Sequence, residues 1–306
     1  MQVDTDAGRG SFVRLAAYMA PIALAALAGF FYFGDGAGNG TPQSGSVQVV
    51  GSETMRPVVT ACAEDFMTRN PRADIVVKGG GSGDGIAALL HGMVDIAMTS
   101  RDLSPRERDY AGAKGIELAV PGLALDGIAV IVNPASTVTT LDLGQLQGIF
   151  AGAIRNWREL DGGTAEIHIL PFARAAGSGT GSLFSDRVLR GKTHAASVRQ
   201  LPTNEAIVSE VAARPEAIGY TGLGAVRAAG TRVKVVALRT DPQSAPVLPT
   251  PETIRSGTYP LARMLRLASV ENPSGTAKAL LDFCLGPNGQ ALLQRAGYVG
   301  AKASLH

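Results

Sequence analysis

The chain has 306 residues, of which 45% are hydrophobic and 18% charged, so it is long enough for two domains with well-filled cores. Its formal net charge is only +2, and it has no basic stripe with interleaved aromatic residues, which argues against a nucleic-acid partner. The two cysteines, Cys62 and Cys284, are too few for a disulfide framework or a cysteine-based zinc site. We expect two buried free thiols, with a disulfide as the alternative in an oxidising compartment. The four histidines are scattered, so we expect no metal and no cofactor.

The N-terminal segment has the composition of a membrane anchor. A run without charges ends at residue 33, and we expect a transmembrane helix over about residues 12–33. Arg9 and Arg14 precede the run and no lysine or arginine follows until Arg56, so the positive-inside rule places the N-terminus in the cytoplasm and the remainder outside. We expect an uncleaved anchor, with a cleaved signal peptide as the alternative. Residues 34–46, rich in Gly and Ser, then form a flexible linker.

The body of the chain begins with an alternation of strands and helices. A strand over residues 47–50 leads to a helix that ends near residue 69, and a strand over 74–78 leads to a helix over 86–93. This order predicts an α/β fold with parallel strands, in which ligands bind beyond the carboxyl ends of the strands. The later strands are predicted at residues 95–98, 128–132, 167–171, 217–220, 233–238 and 263–268, and the later helices at 142–150, 182–190, 204–213, 275–285 and 288–295.

Three loops at such strand ends combine glycines with hydroxyl side chains, and each opens onto a helical pattern. They are residues 51–55, 79–85 and 174–182. Glycine lets the backbone approach a ligand closely, and the free N–H groups and dipole of a helix start favour an anion. Arg174 adds a planar guanidinium suited to a tetrahedral oxyanion. If the fold brings the three loops together, they form one anion site.

The motifs in these loops and between them resemble one known family. They are Gly51-Ser52-x-Thr54, Gly79-Gly80-Gly81-Ser82-Gly83, Val94-Asp95-Ile96-Ala97, Ser100-Arg101, Leu125-Asp126-Gly127, Asn156-Trp157, Arg174 with Ser178-Gly179-Thr180, Ala217-Ile218-Gly219-Tyr220 and Tyr259-Pro260-Leu261. Over about residues 47–300 the chain is similar to the substrate-binding protein of high-affinity phosphate ABC importers. The resemblance implies a class II periplasmic-binding-protein fold, in which two α/β lobes joined by two crossover strands close on phosphate.

This resemblance also implies the division of the chain and its partners. Residues 1–46 would be the anchor and linker, residues 47–127 and 223–306 the first lobe, and residues 128–222 the second. The hinge candidates lie near residues 126–128 and 219–224. The implied partners are inorganic phosphate and an ABC permease and ATPase complex. The implied location of the protein is periplasmic or extracytoplasmic, anchored to the cytoplasmic membrane, and we expect a monomer.

Eleven residues are implied as phosphate ligands. They are Ser52, Thr54, Met55 through its backbone, Ser82, Ser100, Arg101, Asp126, Arg174, Ser178, Gly179 and Thr180. The best-known members carry an aspartate where this chain has Arg101, so we expect Arg101 to pair with phosphate directly. Asp126 is then the candidate acceptor of the phosphate proton. Gly181 and Met55 are two further departures, at positions where relatives often carry arginine and phenylalanine.

Two other classes of function are alternatives. One is a phosphatase on this scaffold, but hydrolysis would need a metal cluster or an activated nucleophile, and neither pattern is visible in the sequence. The other is a membrane-anchored sensor or adhesion module that binds a different oxyanion or a protein. Neighbouring permease and ATPase genes would favour import, whereas a neighbouring kinase gene would favour sensing.

Overall fold

A computed structural model describes residues 46–160, 166–273 and 275–301. The predicted anchor helix and all of the predicted linker except Ser46, which begins the first strand, lie outside these ranges. Within them, no helix combines the length and the apolar composition that crossing a bilayer requires. The described chain is an α/β structure, as the alternation of elements predicts.

Strands and helices alternate along most of the chain. The strands are β1 (Ser46–Gly51), β2 (Asp74–Lys78), β3 (Ile96–Thr99), β4 (Leu118–Ala119), β5 (Gly122–Val132), β6 (Thr140–Asp142), β7 (Leu170–Arg174), β8 (Arg199–Leu201), β9 (Ala217–Gly222), β10 (Lys234–Val235), β11 (Ala237–Arg239), β12 (Ala262–Val270) and β13 (Val299–Gly300). The α-helices are α1 (Arg56–Arg69), α2 (Ser82–Leu90), α3 (Pro105–Ala113), α4 (Leu143–Phe150), α5 (Gly179–Phe184), α6 (Asn204–Ala213), α7 (Leu223–Ala229), α8 (Pro251–Arg255), α9 (Gly275–Leu285) and α10 (Pro287–Arg295). Helix α5 continues as a π-helical turn over Ser185–Leu189, and two 3-10 turns occupy Trp157–Glu159 and Gly230–Arg232.

The main sheet consists of two halves that share β5. Its strand order is β2-β1-β3-β12-β5-β9-β7-β8, with β4, β10 and β13 attached at the side. Strands β2, β1 and β3 are parallel in one half, and β9, β7 and β8 are parallel in the other. Strand β5 pairs with β12 over residues 122–127 and with β9 over residues 128–132. Its side chains from Leu123 onward are all buried, as expected for a strand with both faces covered.

The chain passes between the halves twice, at neighbouring points. The first passage is within β5 at Gly127 and Ile128, where β5 changes partner. The second precedes β12, and the Ile128 N–H donates to the Leu261 carbonyl at 3.0 Å. The two passages therefore run side by side, which agrees with the expectation of two connections between lobes.

Strands and core residues that follow the predicted boundary at residue 223 contact the second half. Strand β10 pairs with residues 131–132 of β5 and β11 pairs with β6, both in the second half. Leu238, Ile254 and Tyr259 belong to the same hydrophobic core as the β9 and β7 side chains. Because these contacts bind the segment before β12 to the second half, we place the return at Ala262.

The core of the first half lies on both faces of its sheet. One face packs against α1, α9 and α10, and the other against α2 and α3. Cys62 and Cys284 are free, buried thiols in the first of these cores. A hydrogen bond with Cys284 lowers the pKa of Cys62, and the same hydrogen bond, with burial, raises that of Cys284.

Glycine at position 85 lets α2 approach the end of β1. A Cβ atom on Gly85 would lie 2.5 Å from the Val50 carbonyl oxygen and 2.7 Å from the Gly51 Cα. Both obstacles are backbone atoms, which cannot rotate away as a side chain can. At Gly83 in the same helix, the nearest atom to an added Cβ would be 3.6 Å away, which is an ordinary contact. The sequence therefore needs glycine at 85 for packing, but not at 83.

We expect Gly85→Ala to destabilise the protein by about 1–3 kcal/mol, because the overpacking outweighs the gain in helix propensity. Gly83→Ala is the matched control and should leave the free energy of unfolding unchanged or raise it by up to about 1 kcal/mol. Urea unfolding of both variants measures the difference. Equal midpoints for the two variants would contradict the close packing of α2 on β1.

Candidate functional site

The three predicted anion loops meet where the two halves face each other. Thr54, just before α1, and Thr180, in the first turn of α5, place their Oγ1 atoms 3.1 Å apart. The Gly83 N–H at the start of α2 donates to the Gly177 carbonyl at 3.2 Å. The loops follow β1, β2 and β7, so each lies at the carboxyl end of a parallel strand, where α/β sheets bind ligands. The starts of α1, α2 and α5 thus converge on one buried cleft.

Gly179 allows the closest approach between the halves. A Cβ atom there would collide with Ser82 Oγ and would lie 2.5 Å from Ser100 Oγ. The two serines contact each other, because Ser82 Oγ accepts the Ser100 N–H at 3.0 Å and lies 3.2 Å from Ser100 Oγ. Both are at most 1% exposed. The second half therefore presents bare backbone to a pair of buried hydroxyls from the first.

An ion pair between Asp126 and Arg263 lies in this cleft. Arg263 donates to Asp126 Oδ2 from Nε at 3.0 Å and from Nη2 at 2.7 Å, and both side chains are at most 2% exposed. From Nη1, Arg263 also donates to Thr180 Oγ1 at 2.8 Å. The other carboxylate oxygen, Asp126 Oδ1, is buried and accepts no hydrogen bond from the described residues. The pair thus supplies a positive group and a free acceptor at the same point.

Arg174 reaches the cleft through Asn204, the first residue of α6. Arg174 Nη1 donates to Asn204 Oδ1 at 2.5 Å, and Nη2 donates to the Pro202 carbonyl at 2.7 Å. Asn204 Nδ2 in turn donates to Thr54 Oγ1 at 3.1 Å. Burial, and then the positive charge of Arg263, lower the pKa of Arg174. The partner of Arg174 is neutral, so the guanidinium charge is not cancelled within this contact.

These contacts fix the direction in which the two threonines can donate. A hydroxyl oxygen has two lone pairs and one hydrogen. Thr54 Oγ1 accepts from Asn204 and, at 3.4 Å, from Arg263 Nη2, while Thr180 Oγ1 accepts from Arg263 Nη1. The Thr54 hydroxyl therefore donates its hydrogen to Thr180 Oγ1 at 3.1 Å, which leaves the Thr180 hydrogen for a ligand. The cleft is accordingly a ring of donors with one unpaired acceptor, Asp126 Oδ1, an arrangement suited to a singly protonated oxyanion.

The other loop residues support the cleft in different ways. Ser178 Oγ caps α5 by accepting the Gly181 N–H at 3.2 Å, so its hydrogen is available to a ligand. Ser52 is buried, and its carbonyl accepts the Met55 N–H at 3.0 Å. The predicted donation from the Met55 backbone to phosphate therefore differs from this structure, in which that N–H closes the loop after β1.

Arg101 also differs from the prediction. Its Nη1 and Nη2 donate to the two carboxylate oxygens of Glu107 at 2.8 and 2.7 Å, and Nη1 donates to the Asp102 carbonyl as well. The hydrogen bond with Glu107 raises the pKa of Arg101 against the effect of burial. Glu107 completes the capping box of α3 with Ser104, which holds its carboxylate beside Arg101. The guanidinium of Arg101 is thus held against Glu107.

Sequence reasoning missed two residues of the cleft. Arg263 lies on the buried face of β12 together with Leu265 and Leu267, and an arginine in a row of buried leucines is a signal that it has a buried partner. Asn204 gives no comparable signal, because a polar residue at a helix start is ordinary. Among residues 46–160, 166–273 and 275–301, no group of three or more His, Cys, Asp or Glu side chains is arranged to hold a metal ion.

Comparison with known proteins gives one consistent result. Residues 37–288 match the family model described as the PBP superfamily domain. The chain is 33% identical to the phosphate-binding protein PstS of Bacillus subtilis (strain 168) over 257 residues, which cover 84% of this chain and 81% of that protein.

Two solved structures agree with this result. One is a substrate-binding protein of Clostridium perfringens solved with bound phosphate, which has a TM-score of 0.74 and 29% identity and covers 84% of this chain and 99% of that one. The other is an ABC-type phosphate transport receptor of Vibrio cholerae, with a TM-score of 0.68, 27% identity and coverage of 83% and 99%. With its two-halved sheet and its donor-lined cleft, this chain belongs to the PBP superfamily and, within it, to the family of PstS phosphate-binding proteins.

Proposed function

We propose that the protein binds inorganic phosphate in the cleft between its halves and delivers it to an ABC-type phosphate importer. The observation that carries this proposal is the unpaired, buried Asp126 Oδ1 in a ring of hydrogen-bond donors. Phosphate near neutral pH retains a proton that it can donate to this oxygen, whereas sulfate has none to give. The relatives described above are named for phosphate binding or transport, and we assign this chain the same role, without turnover.

The proposed binding shell consists of groups from both halves. The charge of phosphate is balanced by Arg263 and Arg174, and its proton is accepted by Asp126. The hydroxyl donors are Ser52, Thr54, Ser82, Ser100, Ser178 and Thr180, with the Gly179 backbone beside them. Met55 and Arg101 are left out of this shell, because the Met55 N–H closes the loop after β1 and three of the five N–H groups of Arg101 bond to Glu107 and the Asp102 carbonyl.

Phosphate must replace direct contacts between the halves. Thr54 and Thr180 are 3.1 Å apart in this structure, which leaves no space for an oxyanion between them. A ligand that accepts from both hydroxyls stabilises the closed arrangement, because it contacts the two halves at once. We therefore expect the cleft to open for binding by rotation near the two passages of the chain.

Calorimetric titration of the full-length protein with phosphate, sulfate and molybdate tests the proposal. We expect tight binding of phosphate and much weaker binding of the other two anions. A protein that binds sulfate or molybdate more tightly than phosphate, or none of the three, does not have the proposed function.

Asp126→Asn should reduce the preference for phosphate over sulfate by about a hundredfold or more, because the amide no longer penalises an unprotonated oxyanion as a buried carboxylate does. Competition calorimetry measures the ratio of the two dissociation constants. Asp142→Asn is the matched control, since Asp142 is also buried but caps α4, a role that asparagine performs equally well. An unchanged ratio in Asp126→Asn would remove Asp126 from the role of proton acceptor.

Asn204→Asp should weaken phosphate binding while preserving or raising stability. The carboxylate cannot donate to Thr54 and places a negative charge beside the ligand, so we expect affinity to fall about 10- to 100-fold, the loss expected for one hydrogen bond to a charged group. The same carboxylate would pair with Arg174 and suit the start of α6, which favours folding. Calorimetry and thermal unfolding report the two effects.

Asn156→Asp is the control for this change, because Asn156 caps a 3-10 turn through its side-chain oxygen and makes no contact with the cleft residues. It should bind phosphate like the unmodified protein. If Asn204→Asp lost affinity only in proportion to a loss of stability, its role would be structural.

We also propose that residues 12–33 keep the protein attached to the outer face of the cytoplasmic membrane. The support is the uncharged run and the arginines that precede it. Expression of the full chain with a C-terminal tag, followed by carbonate extraction of membranes, tests this. We expect the tagged protein at full length in the membrane pellet. A shortened tagged protein in the soluble periplasmic fraction would instead demonstrate a cleaved signal.

A further inference from the structure

Two cavities of opposite charge, and a third that touches Arg174 and Ser178, adjoin the buried cleft. The first, here called the arginine cavity, has a volume of about 560 Å³ and includes five arginines in its lining: Arg101, Arg187, Arg190, Arg263 and Arg266. The second, here called the carboxylate cavity, has a volume of about 240 Å³ and touches the cleft through Thr54 and Asn204. The two cavities share no lining residue. The arginine cavity and the carboxylate cavity therefore give a ligand two approaches to the cleft that differ in charge, beside the third cavity at Arg174 and Ser178.

The two linings differ in charge. The carboxylate cavity contains Glu53 and Glu205 and no lysine or arginine, and the remainder of its wall is largely apolar. The arginine cavity contains one carboxylate, Asp102. Carboxylates repel a dianion, whereas guanidinium groups raise its local concentration. Both effects are strongest where low-dielectric walls focus the electric field. Phosphate is therefore attracted to the arginine cavity and repelled from the carboxylate cavity.

The positive charge of the arginine cavity is only partly neutralised. Three of its arginines form ion pairs, namely Arg101–Glu107 at 2.7 Å, Arg266–Asp102 at 3.0 Å and Arg263–Asp126 at 2.7 Å. Arg187 and Arg190 are exposed and form no ion pair with any residue in the described ranges. Asp186, whose charge acts on Arg101, lines a different cavity. The cavity therefore has at its surface two guanidinium groups that form no ion pair within the described residues.

Arg263 connects the cavity to the cleft. It lines the arginine cavity and also donates to Asp126 and Thr180 in the cleft. Thr54, Ser82 and Thr180 do not line the cavity, so it is a separate compartment that reaches the binding shell at this one residue.

We propose that the arginine cavity is an antechamber that captures inorganic phosphate through Arg187 and Arg190 and passes it to Arg263. This inference rests on the proposed function, because it assigns the route by which phosphate reaches the same cleft. The carboxylate cavity, whose glutamates repel a dianion, is not the route. The antechamber accelerates capture more than it tightens the final complex, because its two free arginines lie outside the binding shell.

The test uses the full-length double variant Arg187→Gln/Arg190→Gln at low ionic strength. The dissociation rate constant is measured by chasing bound radiolabelled phosphate with unlabelled phosphate, and the dissociation constant by calorimetry. Their ratio gives the association rate constant. We expect association to slow about five- to tenfold and dissociation to change less than about twofold. The difference should vanish near 1 M salt, where the screening length is about 3 Å.

Arg232→Gln/Arg295→Gln is the matched control, since both arginines are exposed, line neither cavity and give the same change in net charge. It should slow association less than about twofold. Glu205→Gln tests the other route and should also change association less than about twofold. Equal rates in the two double variants, or a larger change in Glu205→Gln than in Arg187→Gln/Arg190→Gln, would overturn the antechamber. If the unmodified protein binds no phosphate, the proposed function itself fails.

Discussion

The ion pair between Asp126 and Arg263 lies both at the junction of the two halves and in the candidate binding cleft. Asp126 belongs to β5, which both halves share, and Arg263 to β12, which begins where the chain returns to the first half. Burying two charges costs several kcal/mol per ion. The attraction between two well-placed charges can offset this cost but seldom exceeds it. Such a pair contributes little to stability by itself. Its value here is to hold a guanidinium and a free carboxylate oxygen in a place from which water is excluded.

Arg263 and Asn204 hold most of the ligand-facing side chains of the cleft in position. Arg263 and Asn204 donate to the oxygens of Thr54 and Thr180, so that Thr54 donates to Thr180 and the Thr180 hydrogen is left for a ligand. Asn204 also holds Arg174 with a neutral oxygen, where a carboxylate would have cancelled its charge. The selectivity of the cleft thus depends on residues that orient the ligand-facing groups as much as on those groups themselves.

The parts of this structure that could be predicted from sequence are those that local pattern determines. Glycine and hydroxyl residues after short apolar runs indicated three helix starts at strand ends, and the α/β rule placed those ends together. Asp126 was named through the family resemblance, as the acceptor that remains when Arg101 stands where the best-known members carry an aspartate.

The parts that could not be predicted depend on contacts between residues that are far apart in sequence. Arg101 pairs with Glu107 because the capping box of α3 brings that carboxylate close, and the local sequence near Arg101 offers no sign of the competition. Arg263 stands 137 residues from its partner Asp126, and Asn204 stands 150 residues from Thr54. The same holds for the segment after residue 223, since β10 and β11 pair with strands of the second half that lie far away in sequence.

The continuity of β5 has a consequence for how the protein unfolds. One uninterrupted strand gives its first six residues to β12 and its last five to β9, so the melting of either half removes the hydrogen-bonding edge of the other. The halves are therefore not separable modules with individual melting temperatures. They form a single cooperative unit, so a ligand bound at their junction raises the free energy of unfolding of both halves together.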